Sequence, residues 1–106
     1  MFWMIGIALA GRTIDLDWMA QPIVKDKPEC STDAECSSAL ATMKSEVRSE
    51  AQRQAKSSDT CSDMESSLGA SSSSVKSVYI KEMNPVPSSY EITWHISGKV
   101  TCEFFE

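Results

Sequence analysis

The side chains of this sequence that could take part in the most kinds of chemistry are its four cysteines, Cys30, Cys36, Cys61 and Cys102. Thiols can form disulfides, bind zinc or act as nucleophiles. An even number of cysteines in a short chain is expected when two bridges supplement a small core. Zinc sites usually include two cysteines separated by two to four residues. The closest pair here, Cys30 and Cys36, has five residues between them, so the spacing favours two disulfides and no metal.

Four cysteines allow three pairings. We favour Cys30 with Cys36, because a chain that bends into a helix can bring two such near neighbours together. Cys61 then pairs with Cys102. The rival arrangement pairs Cys36 with Cys102 and Cys30 with Cys61, since Cys36 lies on the helix stripe expected to contact the sheet.

Catalytic groups are the next candidates, and the sequence offers few. The single histidine, His95, falls on the polar face of a predicted strand, whereas Cys102 falls on the apolar face, so a Cys–His nucleophile pair is not expected. Asp15 and Asp17 alternate with apolar residues, which is typical of a solvated strand face rather than a metal or catalytic pair. No glycine-rich phosphate loop occurs. We therefore predict a protein that is not an enzyme and has no cofactor.

The C-terminal segment must position Cys102. Apolar and polar residues alternate over residues 90–96, and the alternation resumes over 100–104. A three-residue loop at 97–99, with Gly98 at positive φ, would join the two stretches. The pattern predicts a β-hairpin with Cys102 on its apolar face.

A long helix is predicted to begin after Ser31 or Thr32, which can cap its first turn. Acidic residues lie in that first turn and basic residues near residue 56, as the helix dipole favours. Apolar residues recur along one narrow stripe of the helix. We expect Leu40, Met43 and Val47 on this stripe to pack against the sheet.

Shorter elements complete the predicted fold. Alternation indicates strands at 13–18 and 75–83, and prolines indicate a turn at 84–89. The serine-rich stretch 57–74 is predicted to link helix and sheet, with a short helical turn ending at Gly69 and a flexible part at 71–74. The fold class is α+β, with one main helix on a small antiparallel β-meander of three C-terminal strands, held by disulfides. An alternative version of this fold adds a fourth strand from the N-terminal region.

The N-terminal segment, residues 1–12, is distinct from the single domain predicted over 13–106. Phe2 to Ala10 is an unbroken apolar run, and Ala8-Leu9-Ala10 has the small-x-small form of a signal-peptidase site. The run is far too short to span a membrane. It is either an export signal, the remainder of a longer segment that begins upstream, or an arm that packs in its own domain or docks on another subunit.

Composition and one local resemblance bear on the compartment. A net charge of -5 disfavours nucleic acid as a partner. The segment from Cys30 to Cys36 resembles the cysteine-bracketed helix start in the periplasmic part of a phage lysis-inhibition antiholin. The resemblance covers seven residues and implies an envelope-facing or phage-encoded protein.

We predict from these features a small exported protein, periplasmic, at the cell surface or extracellular, that binds another protein. The alternative is a structural subunit of a virion or surface filament, docking through its N-terminal arm. A third option is a secreted inhibitor that presents the loop Pro85 to Ser89 to an enzyme. Aromatic and polar residues of the arm and of the outer sheet face are the candidate partner contacts: Phe2, Trp3, Tyr79, His95 and Phe105.

Overall fold

The central strand of the sheet, β4, is Glu91–Phe105. In this computed structural model, which describes residues 12–106, every other strand pairs with β4 in antiparallel fashion. β3, Ser72–Pro87, lies along one edge of β4. β1, Arg12–Met19, and β2, Ile23–Asp26, follow one another along the opposite edge. The four strands therefore form a sheet that is three strands wide.

Three helices connect β2 to β3: α1, Asp33–Lys56, α2, Thr60–Asp63, and α3, Glu65–Leu68. α1 packs on one face of the sheet, against β3 and β4. The predicted α+β class, with one main helix on an antiparallel sheet and two disulfides, is confirmed. Across residues 12–106, no helix combines the length and hydrophobicity needed to cross a membrane.

The predicted hairpin at 97–99 is wrong, because β4 continues through these residues without a turn. Gly98 stands at an even-numbered position, as do the apolar residues before and after it. The alternation of apolar and polar residues therefore continues through Gly98, as expected for one uninterrupted strand. The φ of Gly98 is not positive. Tyr90, expected on the apolar face, precedes β4 and is 82% exposed. The buried positions of β4 are Ile92, Trp94, Ile96, Gly98, Val100, Cys102 and Phe104.

β3 begins earlier than predicted. Ser72 pairs with Phe105 and Ser73 with Phe104, so the flexible link expected at 71–74 is wrong. Serine has low strand propensity, but pairing with β4 compensates for this local preference. The register shifts at two irregularities, between Val75 and Ser77 and between Ile80 and Glu82.

β3 also ends later than predicted. Pro85 and Pro87 lie in the strand, opposite Trp94 and Ile92, so the turn expected at 84–89 is wrong over its first four residues. Prolines are tolerated in an edge strand where the nitrogen faces away from the partner, and β3 is such a strand. The connection to β4 is the short segment 88–90.

The N-terminal strands supply the other edge of the sheet. The strand predicted at 13–18 is confirmed as β1, with Asp15 and Asp17 exposed as expected. β2 was not expected, since 21–28 looked like a connecting segment. Ile23 is buried opposite Trp94, and its side chain extends the core beyond β1.

α1 begins where its cap was predicted. The Thr32 hydroxyl oxygen accepts a hydrogen bond from the Glu35 N–H at 3.1 Å, and the Glu35 carboxylate accepts one from the Ser31 N–H at 3.0 Å. These contacts satisfy two backbone donors that the helix itself cannot.

The second half of α1 provides the helix side of the core. Val47, Ala51 and Ala55 are fully buried and Met43 is half-buried. Leu40 lies on the same stripe but is 39% exposed, so its predicted packing against the sheet is wrong. The main helix therefore contacts the sheet closely only from Met43 onward.

The favoured disulfide pairing is confirmed. Cys61 on α2 joins Cys102 on β4, with 5.5 Å between the Cα atoms, and both residues are buried. Cys30 joins Cys36 across the start of α1, with 5.3 Å between the Cα atoms, and both are half-buried. The first bridge fastens the short helices to the core face of the sheet, and the second closes the turn into α1.

Candidate binding groove

The predicted partner contacts within residues 12–106 all lie on the outer face of the sheet, but they are spread out. Tyr79 is 63% exposed beside Lys99, and His95 is exposed beside Asn84. Phe105 is half-buried at the end of β4. His95 and Phe105 are ten residues apart on one strand, or about 33 Å. These three side chains therefore do not form one patch, and Phe2 and Trp3 lie outside the described residues.

In the part of the chain that the structure describes, side chains that could act together in catalysis do not lie close to one another. No cluster of three or more His, Cys, Asp or Glu side chains suitable for a metal occurs there. His95 and Cys102 lie on opposite faces of β4, as the alternation predicted, and all four cysteines are in disulfides.

An apolar groove opens between the first half of α1 and the end of the sheet where β3 finishes and β4 begins. We call it the α1–β3 groove. Its volume is about 580 Å³. The helix lines it with Ser37, Leu40, Ala41 and Lys44, and the sheet lines it with Met83, Pro85, Pro87, Ile92 and Trp94.

The groove exists because small or short side chains face each other across the helix–sheet interface. Ala41 and Ser37 of α1 face Pro85 and Pro87 of β3, where longer apolar residues would fill the gap. Leu40 is the one large apolar helix residue here, and it remains partly exposed. Two turns further along α1, Val47 is fully buried. The interface is therefore closed at one end and open at the other.

A second cavity of about 290 Å³ continues the groove toward the start of α1. The two cavities share Leu40, Pro87 and Ile92. The second is also lined by Pro28 and the Cys30–Cys36 disulfide. The disulfide thereby fixes the rim of the groove to the helix start.

Trp94 is one of the sheet residues that line the groove. This residue is only 4% exposed, yet its indole Nε1 has no hydrogen-bond partner among the described residues. A buried donor without a partner costs about 1–3 kcal/mol.

The sequence did not predict the groove, because residues on both of its sides were expected to belong to other parts of the fold. Pro85 and Pro87 were assigned to a turn, and Leu40 to the core. The helix stripe gives no signal of the groove, since its first half carries Leu40 and Met43, residues no smaller than Val47 in its second half.

Comparison with known proteins adds no assignment: no protein-family model, no curated protein and no solved structure matches this chain.

Proposed function

We propose that this protein is a non-enzymatic, exported binding module that holds an extended apolar segment of a partner protein in the α1–β3 groove. The observation that carries the proposal is the open apolar groove of about 580 Å³ between α1 and the sheet. Apolar side chains of the partner would cover Leu40 and Met83, which line it.

A peptide in the groove fits this surface better than a strand added to the edge of β3. Strand addition relies on main-chain hydrogen bonds along an exposed edge. Pro85 and Pro87 have no N–H to contribute, so the edge of β3 next to the groove is a poor template. Side-chain burial is therefore the expected source of affinity.

The exported location is part of the proposal. Two disulfides are compatible with an oxidising compartment such as the periplasm, the cell surface or the extracellular space. In a reducing cytosol such bridges are rare. The apolar run at residues 2–10 adds a signal-like feature to the same location.

The proposal is tested by nuclear magnetic resonance on the full chain. The probe is a short peptide in which leucine and valine alternate with serine, called here the Leu/Val probe. An all-serine peptide of the same length is the control. We expect the Leu/Val probe to shift the Trp94 indole N–H resonance and the methyl resonances of Leu40 and Met83, since these groups line the groove.

Binding of the probe to the outer face of the sheet would give a different set of shifts. Shifts centred on Tyr79 and His95 would place binding on the face that the sequence predicted instead. That result, or no shift with either peptide, would contradict a binding role for the groove.

A further inference from the structure

We propose that the partner segment held in the α1–β3 groove carries an acidic side chain at each end of its apolar stretch. The inference rests on the proposed function and adds the charge of the partner to it. The observation that carries it is a lysine at each end of the groove, Lys44 at one end and Lys27 at the other.

The positions of the two lysines follow the length of the groove along α1. Lys44 lines the α1–β3 groove one turn beyond Leu40. Lys27 lines the second cavity, together with Cys36 near the start of α1. From Cys36 to Lys44 is about 12 Å of helix, a distance that about four residues of an extended chain cover. Acidic residues on either side of such a short apolar stretch can therefore reach both lysines.

The charge that lines the groove is opposite in sign to the charge of the whole chain. The chain has 15 acidic and 10 basic residues, yet within residues 12–106 no aspartate or glutamate lines either cavity. Exposed charges more than about 8 Å apart are largely screened at physiological ionic strength. A segment in the groove therefore interacts mainly with Lys27 and Lys44, and less with the acidic surface elsewhere.

Neither Lys27 nor Lys44 forms an ion pair within residues 12–106, and both are exposed. The residues three and four positions from Lys44 along α1 are apolar or basic, so the helix offers it no carboxylate. Asp26 and Glu29 are close to Lys27 in sequence but line neither cavity. The Lys27 N–H donates to the Tyr90 carbonyl oxygen at 2.9 Å, which fixes its backbone beside the sheet. Both ammonium groups are thus available to carboxylates of a partner.

A lysine at each end of the groove favours a peptide over a single-headed amphiphile. A fatty acid has one carboxylate, so it would leave one of the two lysines without a partner. A peptide segment can carry a carboxylate on each side of its apolar residues. The partner is therefore a protein segment of apolar residues between two acidic ones.

Calorimetric titration of the full chain with three forms of the Leu/Val probe tests the inference. The forms carry glutamate, serine or lysine at both ends, and their termini are blocked. We expect the glutamate form to bind about three- to tenfold more tightly than the serine form, because each groove lysine gains one exposed ion pair. The lysine form should bind more weakly than the serine form. At about 0.5 M salt the glutamate and serine forms should differ less than about twofold, because salt screens exposed ion pairs.

A matched pair of variants shows whether the two lysines cause the preference. Lys27→Gln with Lys44→Gln removes both charges at the groove and should reduce the difference between the glutamate and serine forms to less than about twofold. Lys56→Gln with Lys76→Gln removes two exposed lysines that line neither cavity and should leave the difference unchanged.

Three results would overturn the inference: equal affinity for the glutamate and serine forms, a preference for glutamate that persists without Lys27 and Lys44, or dodecanoate binding more tightly than the glutamate form. If the serine form still binds in the groove under any of them, the binding role survives and only the acidic character of the partner is wrong. If none of the three peptide forms binds, the proposed function fails as well.

Discussion

At the scale of single residues, Gly98 shows how one side chain determines whether a stretch is a turn or a strand. A Cβ at this position would overlap the carbonyl oxygen of Tyr79 on the neighbouring strand. Glycine is therefore required by close backbone approach inside the sheet, and not by the positive φ of a loop. The sequence alone does not separate these two reasons, but the shared parity of Gly98 with Trp94 and Val100 favours the first.

Replacing Gly98 with alanine should lower the free energy of unfolding by about 1–3 kcal/mol, because the added methyl group forces β3 and β4 apart. Urea denaturation monitored by circular dichroism measures the loss. Gly69→Asn is the matched control: Gly69 has a φ of 67° with open space around it, and asparagine tolerates this conformation. Equal stability of Gly98→Ala and the unchanged chain would contradict the close approach.

At the scale of elements, the cap and extent of α1 were predictable, whereas the pairing of the strands was not. The cap at Thr32 and the extent of α1 follow from signals within a few residues of each other. The pairing of serines 72–74 with the end of β4 depends on residues about thirty positions away, which periodicity in one segment does not reveal. β2 was missed for the same reason, because Ile23 is defined as a strand residue only by its partner Trp94.

The two disulfides fasten elements of different kinds and should differ in their effect on stability. Cys61–Cys102 spans 41 residues and lies in the core, whereas Cys30–Cys36 spans six and is half-buried. Chain entropy alone gives about 4 kcal/mol for the first bridge and about 2 kcal/mol for the second.

Paired cysteine-to-alanine variants measure this difference. Removing Cys61 and Cys102 should lower the free energy of unfolding by about 2 kcal/mol more than removing Cys30 and Cys36, and by more still if the core loosens. Thermal and urea unfolding of both double variants provides the comparison. A larger loss from the Cys30–Cys36 pair would contradict the assignment of Cys61–Cys102 as the core bridge.

At the scale of the whole molecule, the helix and sheet meet closely at one end and diverge at the other. Val47, Ala51 and Ala55 close the interface, while Leu40 faces prolines and stays partly exposed. No segment of the sequence encodes this difference by itself, since it arises where α1, β3 and β4 come together. The fold class could therefore be predicted from the sequence, whereas the groove could not.

The groove opens on the face of the sheet that α1 covers, opposite the outer face. The outer face of the sheet carries Lys99, His95 and Thr101 among its residues, and Asp15 accepts a hydrogen bond from Thr101 at 2.7 Å. The apolar surface beside Trp94 lies on the other face, where α1 shields it on one side. Such a patch bordered by polar residues is typical of an interaction site.

The most direct test of the account is calorimetric titration of the Leu/Val probe into three full-length chains: unchanged, Leu40→Asp and Ser49→Asp. Ser49 is exposed and lies nine residues from Leu40, on the opposite side of α1. The account predicts that Leu40→Asp raises Kd about tenfold or more, because it places a carboxylate in the groove, and that Ser49→Asp leaves Kd unchanged. Equal affinities for all three chains, or no binding to any, would contradict the assignment of the α1–β3 groove as the binding site.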